Sequence, residues 1–137
     1  MSFPRVHGLR ALELGSAGSD LQRELNALVV AGEKRATAGL LSEYAEEGEE
    51  LETVGEEQYL VDADGAPLAL IRYTRVDVVP FADVTWEFAQ SEGEGFTDID
   101  DWRRAHRRYW LGEQGRHIGD DEPVVCLWFE VLAPVAE

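Results

Sequence analysis

Apolar positions recur at helical spacing first at Leu21, Leu25, Leu28 and Val29, which fall at i, i+4, i+7 and i+8 on one face. Ser19 and Gln22 precede that face as an S-x-x-Q capping box, whose side chains satisfy free N–H groups at a helix start. Gly32 is placed to end the helix, because glycine takes the left-handed C′ conformation at little cost. Residues 32–37, GEKRAT, are therefore the exit from a packed helix, held by it yet not buried inside it. Residues 38–44 run apolar then polar and read as either a short helix or a strand.

Alternation then takes over. Residues 58–62 read as a strand, Asp64-Gly65 as a hairpin turn and residues 68–79 as a long strand. On that strand Arg72, Thr74 and Val76 face one way, and Ile71, Tyr73 and Arg75 the other. Pro80 breaks the run, and residues 81–90 look helical, with Val84 and Phe88 four apart. Residues 91–97, SEGEGFT, form a loop carrying Glu92 and Glu94. Thr97 or Asp98 caps a helix reaching about Trp110, with Ile99, Trp102, His106 and Tyr109 at helical spacing. Residues 124–132, VVCLWFEVL, are apolar on both faces, the pattern of a central strand covered on both sides. The order is helix, strand pair, two helices, strand, which predicts one small mixed α+β domain over residues 1–137 with a sheet that curls.

Charge narrows the function. The 137 residues carry 28 acids against 12 bases, a formal charge of −16. Residues 41–70 hold 10 acids and no base, although the acidic run 43–57 keeps Tyr44, Leu51 and Val54. Residues 103–117 hold 5 arginines and 1 acid. Bulk electrostatic gripping of nucleic acid is disfavoured on such a chain, because phosphate is repelled. The arginine block can still form a local anion site, or simply a solvated helix face. A single cysteine, Cys126, leaves no intramolecular disulfide and suits a reducing compartment. No secretory h-region and no apolar span of ~20 residues appears, so a cytoplasmic protein with no membrane partner is expected.

Of the 12 bases, 11 are arginine, and Lys34 is the one lysine. Arginine stays charged at working pH, whereas lysine can act as a base once burial or a neighbouring cation shifts it. Thr37 lies three residues on, so its hydroxyl and the Lys34 amine can face together as a nucleophile pair. Glu94 sits between Gly93 and Gly95, where the backbone can approach a ligand and the carboxyl can serve as acid or base. Arg103 offers a donor fork to phosphate or carboxylate. Trp102 and His106 read as core packing or as ligand contacts, and Tyr44 and Tyr73 as packing or as base-stacking partners. His7, His106 and His117 have no metal-ligand spacing, and neither a metal nor another cofactor is expected.

These pieces together resemble the ASCH domain family, in particular its bacterial stand-alone branch. The resemblance rests on GEKRAT at 32–37, matching the family's G-x-K-x-x-T, on SEGEG at 91–95, on DDWRRAHRRYW at 100–110 and on PVVCLWFEVL at 123–132. It runs in order over roughly residues 12–132. The resemblance implies a PUA-like fold, a small curled β-barrel with helices packed around its mouth. It also implies binding of RNA or a modified nucleoside. A compact bacterial member is an amidohydrolase that deacylates N4-acetylcytidine with a Lys, a Thr and a Glu. Carried over by motif, these are Lys34, Thr37 and Glu94, with Glu92 as rival for the last. Lys34 would then take the Thr37 proton. Substrate contacts are expected from Glu92, Trp102, Arg103, His106 and Tyr44. Gly39 stands where many branch members carry a polar residue. The alternative is an RNA-binding module or a ribonuclease, using Arg103, Arg104, Arg107 and Arg108. A modified nucleoside or short RNA is the expected partner, without a long phosphate track.

Overall fold

The Ser19 hydroxyl begins the first helix as the capping pattern predicts. In the computed structural model, which describes residues 3–135, its Oγ accepts from the Gln22 N–H at 3.0 Å. Helix α1 then runs Asp20–Val30. The Gln22 side chain accepts from Gly18 N–H instead of Ser19, so the box closes one residue early. Gly32 follows at φ +82°, and the N–H groups of Gly32 and Glu33 return to the Val29 and Leu28 carbonyls. That end releases the chain into β3, Ala36–Leu40, and directly into α2, Leu41–Glu47. The undecided segment 38–44 is therefore both things in succession.

Two short strands, β1 (Arg5–Val6) and β2 (Leu9–Leu12), precede α1. After α2 come β4 (Glu57–Val61) and β5 (Pro67–Pro80), the expected hairpin. The expected helix over 81–90 divides into a 3-10 turn, Phe81–Asp83, and α3, Trp86–Ser91. The division falls at Thr85, whose hydroxyl caps α3 by accepting from Phe88 N–H at 3.1 Å. Helix α4 spans Ile99–Gln114, capped by Asp98, and β6 spans Pro123–Pro134.

The six strands form one sheet in the order β1-β2-β4-β5-β6-β3. Only β2 and β4 run parallel; the other neighbours are antiparallel. The sheet is mixed and, among the described residues, does not close, so the α+β class holds and the expected barrel is not confirmed. Strands β1 and β3 are its two ends. Closure would require a strand on the free edge of β3, and there the Ala36 carbonyl accepts from Lys34 Nζ instead.

Strand β6 is covered on both faces, as its sequence predicts. One face joins Leu127 and Phe129 to Tyr73, Ile71, Leu25 and Val29. The other joins Val124 and Cys126 to Phe81, Phe88, Trp102 and Trp110. The facing assigned along β5 holds only as far as Tyr73. The register slips between Tyr73 and Arg75, and this extra residue reverses the alternation. Val76 thus turns inward beside Leu127, while Arg75 turns out and lies 4.6 Å from the Trp128 ring centroid. Among the described residues no helix is long and apolar enough to cross a membrane.

Candidate functional site

The site forms where the exit of α1 meets the loop between α3 and α4. Arg35 N–H donates to the Ser91 carbonyl at 2.8 Å. Gly93, at φ +67°, lays its backbone against the Glu33–Lys34 peptide so closely that an added Cβ would stand 2.2 Å from the Glu33 carbonyl oxygen. The glycine is required twice, for the left-handed backbone and for the close approach. This docking delivers the two carboxyls that flank Gly93 to one lysine.

Lys34 is 1% exposed. Its Nζ donates to Glu94 Oε2 at 2.8 Å, to Ala36 O at 2.8 Å and to Glu92 Oε2 at 3.4 Å. The ammonium has three hydrogens, and three acceptors surround it. Glu92 is equally buried and is held from the other side by Trp102 Nε1, which donates to its Oε1 at 2.9 Å. His106 Nε2 lies 3.6 Å from Glu92 Oε2. The His106 ring is stacked on Trp102 at 4.0 Å between centroids, and its Nδ1 donates to the Trp102 carbonyl at 2.9 Å. The i, i+4 spacing on α4 produces both contacts.

The two carboxyls are driven apart. Burial alone would raise Glu92, but the Lys34 charge and then the His106 charge and hydrogen bond hold it well below the usual carboxylate range. Burial pushes Glu94 up to about 7; Lys34 opposes, while a hydrogen bond to Glu92 and the Glu92 charge add to the rise. Burial opposes protonation of His106, and the Glu92 charge and hydrogen bond outweigh it, so His106 titrates above its ordinary value. Two neighbouring carboxyls with separated affinities for a proton are the arrangement that divides acid from base work.

The stability consequence is testable without a substrate. Between the ordinary carboxyl value and about 7, the folded protein binds a proton at Glu94 that the unfolded chain releases. Stability from this group is thus complete at low pH and is lost as pH rises through about 7. Glu94→Gln is expected to flatten that decline in urea midpoints measured from pH 5 to 8. An unchanged slope would show that Glu94 is not the group.

Lys34, Glu92, Glu94 and His106 line a cavity of about 840 Å³, with Thr37 and Tyr44 on the same wall system. Thr37 pairs with Leu127 across the β3–β6 ladder, so its side chain points to the Leu127 face, where the cavity lies. The three Lys34 hydrogen bonds do not include Thr37. Two expected contacts stand elsewhere. Trp102 is fully buried behind Glu92 and reaches the cavity only through it. Arg103 points away, donating to the Ala82 carbonyl at 2.9 Å and to Asp100.

The arginine block is largely tied up. Arg103, Arg104 and Arg107 pair with Asp100, Asp101 and Asp120. Arg108 alone of the four lines the cavity. Charge counting by segment could not show this, because the partners lie in neighbouring acidic stretches. Sequence reasoning also missed Glu52, Gln58 and Arg10, all of which line the cavity.

The ASCH domain family model matches residues 12–133. The chain belongs to the ASCH domain family. The ASCH domain of Lactobacillus crispatus is 31% identical, with 90% of this chain and 79% of that one covered at a TM-score of 0.76. Protein EF3133 of Enterococcus faecalis, described under the family name DUF984, is 33% identical, with 90% and 76% covered at a TM-score of 0.79. The hypothetical protein PH0355 shares the fold at 18% identity and a TM-score of 0.56, over 82% of this chain and 94% of that one. No curated protein matches the chain. The open α+β sheet with four helices is thus similar to solved ASCH domains. ASCH domains are generally thought to bind RNA or other nucleic acid.

Proposed function

We propose that this ASCH domain is an amidohydrolase that removes an acyl group from the exocyclic amine of a modified cytidine-type nucleoside. The observation that carries this reading is the buried Lys34 bridging Glu92 and Glu94 on the wall of a cavity that Thr37 also lines. The acidic surface is compatible, since an uncharged nucleoside brings no phosphate to repel.

The geometry favours a division of labour different from the motif-based expectation. With its three hydrogens engaged by acceptors, Lys34 serves as donor, and proton transfer falls to Glu94. Glu94 takes the Thr37 hydroxyl proton as Oγ1 forms a bond to the acyl carbon. Once neutral, it releases its hold on Lys34, freeing one N–H for the developing oxyanion. Glu94 then returns the proton to the leaving amine as the C–N bond breaks. Water, deprotonated by the same carboxylate, cleaves the acyl-threonine and restores the hydroxyl. An affinity near 7 suits both directions of transfer. Glu92 stays ionised and keeps Lys34 in place. The RNA-module reading is less well supported, because three of its four arginines are already paired.

The test is incubation with N4-acetylcytidine while following cytidine release. Thr37→Ala and Glu94→Gln are each expected to lower kcat by ~10²–10⁴. The kcat/KM profile is expected to rise through pH 7 with Glu94 and to lose that limb in Glu94→Gln. No turnover by the unaltered protein, or turnover indifferent to both changes, would overturn the assignment.

A further inference from the structure

The same cavity has a second polar end, built around a buried carboxyl that the chemistry above does not use. Glu52 is 7% exposed. Its Oε1 accepts from Tyr44 Oη at 2.8 Å, and its Oε2 accepts from Gln58 Nε2 at 3.0 Å. Gln58 cannot turn away. Its amide gives its other hydrogen to Glu56 and accepts from Tyr73 Oη at 2.7 Å. Arg10 spends its Nε and Nη2 on Glu56, at 2.9 and 2.7 Å, and so leaves Glu52 without a direct cation. A carboxylate offers about four acceptor positions, and two of these are filled by neutral donors. Each oxygen has one donor and can accept another from a ligand. Glu52, Tyr44 and Gln58 all line the cavity.

The position along the wall matters. Tyr44 packs over Gly39, where an added Cβ would meet its ring at 3.9 Å. Gly39 is the next position after Thr37 on the same face of β3, ~7 Å further along the strand. Glu52 is bonded to the hydroxyl of that same ring, and Thr37, Gly39, Tyr44 and Glu52 all line the one cavity. A flat ligand whose reacting group sits at Thr37 can therefore lie along the ring toward Glu52. Glycine at position 39 leaves the floor between the two ends without a side chain.

We propose that Glu52, held by Tyr44 and Gln58, is the specificity-determining acceptor for the hydroxyl groups of a ribose at the end of the ligand remote from the amide. This deepens the nucleoside reading above and rests on it. A phosphate in the same place would be repelled by the carboxylate, and Arg10 is already engaged by Glu56. A base alone would leave the acceptor empty, and a 2′-deoxy sugar would half-fill it.

The experiment compares N4-acetylcytidine, N4-acetyl-2′-deoxycytidine and N4-acetylcytosine as substrates, and measures binding of cytidine and 2′-deoxycytidine by calorimetry. The unaltered protein is expected to prefer the ribonucleoside by about 10- to 100-fold, the worth of a hydrogen bond to a charged group. Glu52→Gln is expected to bring that preference within about twofold while the rate on N4-acetylcytosine changes little. Tyr44→Phe, which keeps the charge and removes one tether, is expected to lose part of it, and it carries the test if Glu52→Gln fails to fold. Turnover without sugar preference, or a preference unmoved in the folded variant, overturns this inference and leaves the hydrolase reading intact. No turnover, but cytidine bound more tightly than 2′-deoxycytidine in a Glu52-dependent way, supports this inference and removes the hydrolase. Neither turnover nor binding overturns both.

Discussion

A Gly93→Ala protein is expected to lose about 2–5 kcal/mol of stability and at least ~100-fold in N4-acetylcytidine turnover. Two physical terms add here. A side chain in the left-handed region costs ~1–2 kcal/mol, and forcing one into a filled space costs ~1–3 kcal/mol more. The obstruction is the Glu33 carbonyl and the Lys34 N–H, which are backbone and cannot swing aside. The loop must therefore lift, and it carries Glu92 and Glu94 away from Lys34 as it does so. A shift of even ~1 Å at a reacting group can cost ~100-fold in rate. Gly95→Ala is the control. It has φ +84°, yet nothing stands within 4 Å of an added Cβ, so only the backbone strain applies. Urea midpoints and kcat for the two variants settle the matter. Equal losses in both, or none at Gly93, would mean that the loop is not docked as described.

That contrast also bears on what could be read from the chain alone. The bracketing of Glu94 by glycines was legible, and so was the lysine at the exit of a capped helix. Their meeting was not, because it depends on a β3 edge that no local pattern announces. Residues 38–44 carry signals for two elements, and a five-residue edge strand running straight into a helix defeats periodicity. The bulge at Thr74 is equally silent, since alternation on either side of it looks regular while the register has slipped. Helix α1 and strand β6 were readable for the opposite reason: each buries a face long enough for its period to show. In the site, Lys34, Thr37, Glu92, Glu94, His106 and Tyr44 converge on one cavity. Arg103 does not, because Asp100 and the Ala82 carbonyl compete for its donors. Glu52 was hidden inside the acidic run, which reads as solvated. The clue lay in its neighbour Leu51, which packs against the core and turns that part of the run inward, whereas Val54, equally apolar in the sequence, is exposed.

Lys34→Met is expected to be the most costly single change. It preserves volume and removes the ammonium that bridges the buried Glu92 and the part-buried Glu94, leaving only His106 beside Glu92. Breaking a buried ion pair from one side typically costs ~3–5 kcal/mol, because the remaining charge is left uncompensated. The penalty has a direction in pH. Without Lys34 both carboxyls favour their protonated forms, so the variant is expected to be least destabilised near pH 5 and most destabilised near pH 8. Glu92→Gln in the same chain removes one of the stranded charges. The double variant is therefore expected to recover part of the stability, a coupling measurable by a double-mutant cycle. Turnover is a separate matter: the donor for the oxyanion is still missing, and kcat is expected to stay at least ~10²-fold down in both variants. A Lys34→Met protein equally stable at pH 5 and pH 8 would contradict the buried pairing. Recovery of kcat together with stability in the double variant would reduce Lys34 to a structural counter-charge, and the oxyanion would then have to be held by another donor.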